Sequence, residues 1–194
     1  MELSILWTKQ NPEFNTYRDD IFPSIIPSSN GIYGIYQTNG RVKNAVRFKG
    51  GYDIAFFEAD ADGTIQYIHQ KPEWNTPGKT RLSYQSIASY QEFIYFTYWT
   101  NQPLDGQQQT GKYDIVVCKT DASGTIHWVK QESLPNANGW NTWPCITTDQ
   151  QGNVIVAFTT TGVITEDANA QRVGREVDSN LVVFKMDADG NLLW

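Results

Sequence analysis

The sequence is poor in the residues that most often carry chemistry or hold a chain in a membrane. Its 194 residues include two histidines and two cysteines, Cys118 and Cys145. Two cysteines cannot form a disulfide framework. With so few histidines and cysteines, the chain has little of what zinc sites and general acid–base catalysis usually use. No apolar run approaches the roughly 20 residues of a membrane span, so we expect no membrane insertion. The first residues lack a basic segment followed by an apolar stretch, so no signal peptide is expected.

Charge is also scarce, and its balance is acidic. Lys and Arg number 15 against 21 Asp and Glu, which gives a net charge of −6. An acidic chain lacks the positive field that drives non-specific nucleic-acid binding, so we expect no nucleic-acid partner. The chain is 40% hydrophobic and 13% aromatic, enough for a packed core. No segment shows the apolar period of an amphipathic helix, which favours an all-β protein.

Three internal repeats determine the predicted architecture. The segment YDIAFFEADADGTIQYIHQ at 52–70 recurs at 113–131 and, in shortened form, at 179–194. A second segment at 21–40 recurs at 83–102 and at 143–162. Because several patterns return in the same order, each repeat is one structural unit.

Each unit is predicted to contain four short strands, rich in β-branched and aromatic residues. The first strands are Ser24–Pro27, Ser86–Ser89 and Cys145–Thr148; the second are Ile32–Thr38, Ile94–Thr100 and Val154–Thr160; the third are Asp53–Ala59, Asp114–Thr120 and Asn180–Met186; the fourth are Thr64–Gln70, Thr125–Gln131 and Asn191–Trp194. An Asp-x-x-Gly turn joins the third strand to the fourth. A further strand of the fourth type is expected at Leu3–Gln10.

Four-stranded antiparallel units at this period are typical of β-propeller blades. We therefore predict one all-β domain over 1–194, with an outer strand at 3–10 and blades at about 21–70, 83–131 and 143–194. The structural alternative is a β-trefoil, which also contains three four-stranded units.

The strand-three hairpin resembles that of the bacterial SBBP family of seven-bladed β-propeller repeats. Its pattern is Asp-x-x-Val-x-Lys-x-Asp-x-x-Gly-x-Leu-x-Trp, which occurs here as Asp114, Val117, Lys119, Asp121, Gly124, Ile126 and Trp128, and again as Asn180, Val183, Lys185, Asp187, Gly190, Leu192 and Trp194. The first copy departs from it at Glu58 and Tyr67. The resemblance covers the chain blade by blade and implies an extracellular or surface-exposed setting, with no statement about activity.

Three blades cannot close a ring, because propellers have about four to eight. Open blades would expose strand edges and apolar faces, which favour association. We therefore expect a protein partner or a second copy of the chain to complete the ring, with the alternative that the sequence is a piece of a longer propeller.

Alternating strand directions place the long connections of every unit at one end of the sheets, and loops on a rigid scaffold are the usual place for binding. An aromatic-Asn-Thr triplet recurs in these loops. The predicted binding residues from it are Phe14, Asn15, Trp74, Asn75, Trp140 and Asn141. An aromatic ring beside an amide suits sugar stacking with hydroxyl hydrogen bonds, or a protein partner. A feature present in every repeat also fits a packing role, and both interpretations stay open.

One basic cluster occurs in the first unit only. Its residues are Arg41, Lys43, Arg47 and Lys49. A basic loop can bind an acidic partner or an anionic sugar, and it can equally be a solvated loop. We include the four residues among the predicted binding positions.

The Asp-x-Asp-Gly turns, such as Asp60 to Gly63, suggest calcium at first sight. Calcium needs about six to eight oxygen ligands, whereas each turn supplies two carboxylates. Hairpin chemistry explains these turns, so we expect no metal and no cofactor.

The sequence therefore predicts a non-catalytic binding or assembly scaffold that recognises protein or carbohydrate through its long-loop face. One alternative is a structural component of a larger assembly, such as a virion or a surface appendage. Another is a glycan-active enzyme whose paired carboxylates lie on the loop face.

Overall fold

The computed structural model describes residues 7–10, 12–43, 45, 51–76, 80–81, 86–164 and 178–194. Their regular structure consists of β-strands and one short 3-10 turn, Pro72–Trp74. The all-β class predicted from strand propensity and from the missing helical period is confirmed.

Within the described ranges, twelve strands form three separate antiparallel sheets. The first sheet contains β1 (Asp20–Pro27), β2 (Gly31–Thr38), β3 (Asp53–Asp60) and β4 (Ile65–His69); the second contains β5 (Thr80–Arg81), β6 (Ile87–Tyr90), β7 (Phe93–Thr100), β8 (Asp114–Asp121) and β9 (Ile126–Lys130); the third contains β10 (Asn141–Thr148), β11 (Val154–Thr160) and β12 (Asn180–Met186). Strands adjacent in sequence are also neighbours in each sheet, except that β5 and β6 both pair with β7. The two short strands together occupy the place that β1 and β10 fill alone.

The predicted second and third strands are confirmed to within one residue. The predicted fourth strand of the third unit, Asn191–Trp194, is reduced to a single bridge between Met186 and Leu192. Of the strand predicted at Leu3–Gln10, residues 3–6 lie outside the described part, and residues 7–10 are not in a strand. The described strands form no closed barrel, which leaves the β-trefoil alternative without support.

The Asp-x-x-Gly turns are hairpins held by the leading carboxylate. Oδ1 of Asp60 accepts hydrogen bonds from the N–H groups of Asp62 and Thr64, at 3.0 and 2.9 Å. Gly63 has a φ of +74°, a conformation that strongly favours glycine. Oδ1 of Asp187 accepts the equivalent pair of bonds in the third sheet. This carboxylate oxygen therefore serves the turn backbone.

A β-bulge interrupts the first strand of the first and third sheets. The register shifts between Ile21 and Ser24 in one and between Thr142 and Cys145 in the other. An aromatic residue followed by proline stands at each bulge, and Phe22 and Trp143 adopt positive φ values of 53° and 56°. Both rings are exposed. Bulges of this kind redirect side chains out of the regular pleat.

The second sheet is packed between the other two. One core cluster joins Ile54 and Phe56 of the first sheet to Phe96 and Tyr98 of the second. Another joins the opposite face of the second sheet to Val156, Phe158 and Phe184 of the third. A third cluster, around Tyr36 and Phe57, covers the remaining face of the first sheet. Burial of these apolar faces is the main stabilising contribution to the stack.

Candidate functional site

The long connections of the first and second sheets are held by the same buried joint. Asp53 and Asp114 begin β3 and β8, and each accepts a hydrogen bond from a glutamine Nε2, Gln70 at 3.0 Å and Gln131 at 3.2 Å. Each glutamine Oε1 in turn accepts a loop N–H, from Val42 at 3.0 Å and from Leu104 at 2.8 Å. Because these groups are buried, their polar atoms need partners within the protein, and the resulting hydrogen bonds hold the loops in place.

A buried asparagine completes each joint. Oδ1 of Asn75 accepts the N–H of Ile54 at 2.6 Å, and its Nδ2 donates to the carbonyls of Ile54 and Lys71. Asn136 makes the same set, accepting from Ile115 N at 2.7 Å and donating to Ile115 O and Gln131 O. Asn75 and Asn136 are therefore equivalent, and both bind the backbone of the preceding sheet.

The third predicted triplet differs from the other two. Asn141 and Thr142 belong to β10, and Oδ1 of Asn141 accepts the N–H of Ala137, as the Asp20 carboxylate accepts that of Thr16. The repeated asparagine is the fifth residue after a glutamine, as in Gln10–Asn15, Gln70–Asn75 and Gln131–Asn136. This spacing between glutamine and asparagine was the sequence signal for Asn136. The likeness of the segment 140–142 to the other two aromatic-Asn-Thr triplets concealed it.

Trp74 and Phe14 hold equivalent positions in different surroundings. The hydroxyl of Tyr98 donates to Trp74 O at 2.5 Å, and that of Tyr36 donates to Phe14 O at 2.6 Å. Trp74 is fully buried: its ring meets Phe96 edge-on at 5.4 Å and its Nε1 donates to Ile54 O. Phe14 lies against Phe57 at 5.2 Å and is half-buried. The predicted binding residues Trp74 and Asn75 are thus enclosed, whereas Phe14 and Asn15 reach solvent.

The third predicted aromatic also reaches solvent. Trp140 is 50% exposed, and its ring meets Tyr113 edge-on at 5.4 Å. Phe22 and Trp143 at the two bulges are exposed aromatics that the loop pattern did not indicate. The aromatic-Pro pair at each bulge was their sequence signal.

The basic cluster lies partly within the described structure. Arg41 and Lys43 are exposed, and the guanidinium of Arg41 donates to Ala45 O, through Nε at 2.8 Å. Arg47 and Lys49 lie outside the described residues.

The structure brings Asn15, Arg41 and Lys43 together. A depression of about 580 Å³ is lined by Gln10, Pro12, Asn15, Thr16, Tyr17, Arg41 and Lys43. A more apolar depression of about 320 Å³ adjoins it through Gln10 and Asn15, and includes Phe14, Tyr36 and Phe57 in its lining. The side-chain amide of Asn15, the cationic groups of Arg41 and Lys43, and the exposed ring of Tyr17 thus surround one opening. These residues come from two separate connections. We call the two depressions together the first-sheet cleft.

Two carboxylates at this cleft are hydrogen-bonded by its loops, and one of them, Asp20, lines the smaller depression. Asp20 accepts hydrogen bonds from the N–H and the hydroxyl of Thr16, at 2.7 and 3.1 Å. Asp19 accepts the hydroxyl of Tyr52 at 3.0 Å. Burial, followed by the charge of Asp20, raises the pKa of Tyr36, whose hydroxyl donates to Phe14 O. These bonds position the loop that carries Asn15.

The histidines and the buried cysteine are engaged in packing. His69 stacks on Tyr67 at 5.1 Å, and burial followed by the charge of Lys71 lowers its pKa. His127 lies 3.3 Å from an oxygen of Asp121 in its own hairpin. Cys118 is fully buried, and burial raises the pKa of its thiol. Within the described residues, no three His, Cys, Asp or Glu side chains form a metal-binding group.

Comparison with protein-family models and with curated proteins gave no match. The SBBP resemblance is therefore still a prediction from the repeat pattern.

Among the described residues, no helix is both long and apolar enough to cross a bilayer.

Proposed function

We propose that the protein is a non-catalytic recognition scaffold that binds an acidic carbohydrate in the first-sheet cleft. The observation that carries this proposal is the meeting of Asn15, Arg41 and Lys43 at one opening. The repeated sheets supply the rigid frame, and the two connections of the first sheet supply the contacts.

The lining suits a charged sugar in three respects. Arg41 and Lys43 present cationic donors for a carboxylate or a sulfate. Asn15 offers an amide for hydroxyl groups, and the exposed ring of Tyr17 offers a surface on which a sugar ring can stack. Because the chain as a whole is acidic, attraction is confined to this patch, and we expect binding to weaken as salt increases.

The proposed architecture is that of propeller-type blades. Three consecutive antiparallel meanders stacked face to face support it, together with the repeat pattern that resembles the SBBP family. On this proposal the protein acts at a surface or outside the cell, in keeping with what the resemblance implies.

The test is titration of the folded chain with an oligogalacturonate, and separately with a sulfated heparin oligosaccharide, at low salt. We expect the Lys43→Gln variant to bind about tenfold more weakly, since a charged hydrogen bond contributes roughly 1.5–3 kcal/mol. Lys112→Gln removes the same charge from an exposed residue of the second sheet's loop and should bind as the parent does.

Three results would contradict the proposal: no binding of either probe, equal loss in both variants, or tighter binding of an acidic peptide such as polyglutamate. Release of shortened oligosaccharide during incubation would instead support the glycan-active alternative.

A further inference from the structure

In the second sheet, a side chain from the sheet's own loop closes the outer edge of β9. Nε2 of Gln107 donates to Val129 O at 3.0 Å, and its Oε1 accepts the N–H of Gln131 at 2.7 Å. This carbonyl and this N–H belong to residues two apart, so the amide bonds them as a residue of a neighbouring parallel strand would. Native edge strands are commonly covered against further pairing. Gln107 thus takes the place of a further strand beside β9.

The first sheet has the same loop turn without the amide. The N–H groups of Val42 and Leu104 are bonded by equivalent glutamines. The carbonyls of these two residues each accept an N–H from three residues later, Ala45 at 3.1 Å and Gln107 at 3.0 Å. Ala45 therefore stands where Gln107 stands, and its methyl group can neither donate nor accept a hydrogen bond.

The outer edge of β4 consequently lacks this closure. Ile68 pairs with β3 as Val129 pairs with β8. Gln70, two residues later, corresponds to Gln131. On this outer side, Ile68 O and the N–H of Gln70 meet no hydrogen-bond partner among the described residues. Because Gln70 is 3% exposed, an unpartnered N–H there is costly, and the edge favours an occupant that supplies a backbone donor and acceptor.

A depression of about 520 Å³ lies along this edge. It is lined by the consecutive residues of β4, Ile65–His69, together with Glu13 and Lys43. Since side chains of a strand alternate between its two faces, consecutive residues line one depression along the edge of the sheet. One acidic and one basic side chain border the depression, so its walls suit an uncharged occupant.

We propose that the edge of β4 binds an extended, uncharged peptide segment of another protein, which adds to the first sheet as a further strand. The peptide backbone donates an N–H to Ile68 O and accepts the N–H of Gln70. These are the two bonds that the Gln107 amide makes in the second sheet. In such strand addition, main-chain bonds supply affinity and alternate side chains supply specificity. Ile65, Tyr67 and Ile68 favour β-branched side chains in the peptide.

The peptide site is separate from the first-sheet cleft except at Lys43, which borders both. The proposed bonds are made by the backbone of β4, whose described residues line neither part of that cleft. Peptide binding and carbohydrate recognition can therefore fail independently.

The test is an NMR titration of the isotope-labelled chain with a capped pentapeptide of alternating threonine and valine. We expect a Kd of about 100 μM, in the range of weak specific contacts. Amide resonances at 66–70 should shift, whereas those at 127–131 should not, because Gln107 closes the matching edge.

Ala45→Gln gives the first sheet the missing amide and keeps the backbone carbonyl that Arg41 binds. It should weaken peptide binding at least about tenfold, since the new side chain competes for the same backbone groups. Oligosaccharide binding by this variant should equal that of the parent.

Gln107→Ala is the reciprocal variant and does not depend on how well a longer side chain fits at Ala45. It should open the edge of β9, so that the peptide also shifts the amide resonances at 127–131. Circular dichroism verifies that both variants are folded.

Two methylated peptides separate strand pairing from side-chain contact. One carries N-methyl groups on its threonines and the other on its valines, so each lacks the N–H groups of one edge. One of them should lose binding while the other keeps it.

No shift at 66–70 at about 1 mM peptide would overturn the proposal, far above the expected Kd. So would peptide binding that Ala45→Gln leaves unchanged, a β9 edge that Gln107→Ala leaves closed, or equal affinity of all three peptides. Shifts at 66–70 produced by the acidic oligosaccharide, or by raising the chain concentration without peptide, would assign the edge to a different occupant and overturn it as well.

Discussion

The connections that lead into the first and second sheets share the sequence pattern Pro-Glu-aromatic-Asn-Thr, at 12–16 and 72–76, and yet they have different surroundings. In the second, Trp74 and Asn75 are buried against the preceding sheet. In the first, no described sheet precedes, so Phe14 is half-buried and Asn15 is exposed. The same repeat unit is a packing joint where a neighbour covers it and a candidate binding site where none does.

The largest expected effect lies at the two aromatic positions. Trp74→Ala should cost about 3–5 kcal/mol in free energy of unfolding, because it removes a fully buried ring and leaves a cavity. Phe14→Ala should cost less, about 1–2 kcal/mol, since its ring is only half-buried. Urea unfolding measures both. Equal losses would contradict the contrast between the closed and the open connection.

The asparagines give a smaller effect and a sharper contrast. Asn75→Ala leaves the N–H of Ile54 without its partner, removes one of the two side-chain hydrogen bonds to Ile54 O, and should cost about 2–3 kcal/mol. Asn15→Ala should change the free energy of unfolding by less than about 0.5 kcal/mol, as surface substitutions usually do, while it weakens oligosaccharide binding. Asn136→Ala should behave as Asn75→Ala does. A stable Asn136→Ala variant would refute the equivalence of these two positions.

The smallest effect is expected at a partly buried pair outside both connections. A hydrogen bond from Lys185 at 2.8 Å, with further bonds from Asn153, holds the pKa of Asp149 well below its usual range. A lowered acid pKa stabilises the fold above the unfolded value of about 4 and loses that contribution as the pH falls further. Thermal unfolding of Asp149→Asn should therefore depend less on pH below about 4 than that of the parent.

Asp189→Asn is the matched control for this pair. It removes a carboxylate from the equivalent kind of turn in the third sheet, where the side chain is exposed and receives no bond from Lys185. If Asp149→Asn and Asp189→Asn change the pH dependence of thermal unfolding below about pH 4 equally, the pair of Asp149 and Lys185 makes no contribution of its own.

Local signals accounted for most strands. Alternating Val, Ile and Phe residues and the Asp-x-x-Gly turn located β3, β8 and β12 to within one residue. These signals are short-range, because the leading Asp bonds the N–H groups two and four residues later. The hairpins therefore follow from the sequence alone.

Burial of the loop residues depended on neighbouring sheets. The sequence shows Phe14 and Trp74 in matching segments, but only the sheet in front of Trp74 encloses it. The approach of Arg41 and Lys43 to Asn15 is likewise set by two connections meeting in space. Patterns along the chain do not encode such meetings.

Hydrogen exchange in the presence of the acidic oligosaccharide tests the central contrast most directly. The account predicts slower exchange at 12–20 and 41–43, with no change at 71–76 or 102–112, the matching connections of the second sheet. Protection at 71–76, or uniform protection of both sets, would contradict the claim that an uncovered repeat connection is the binding site.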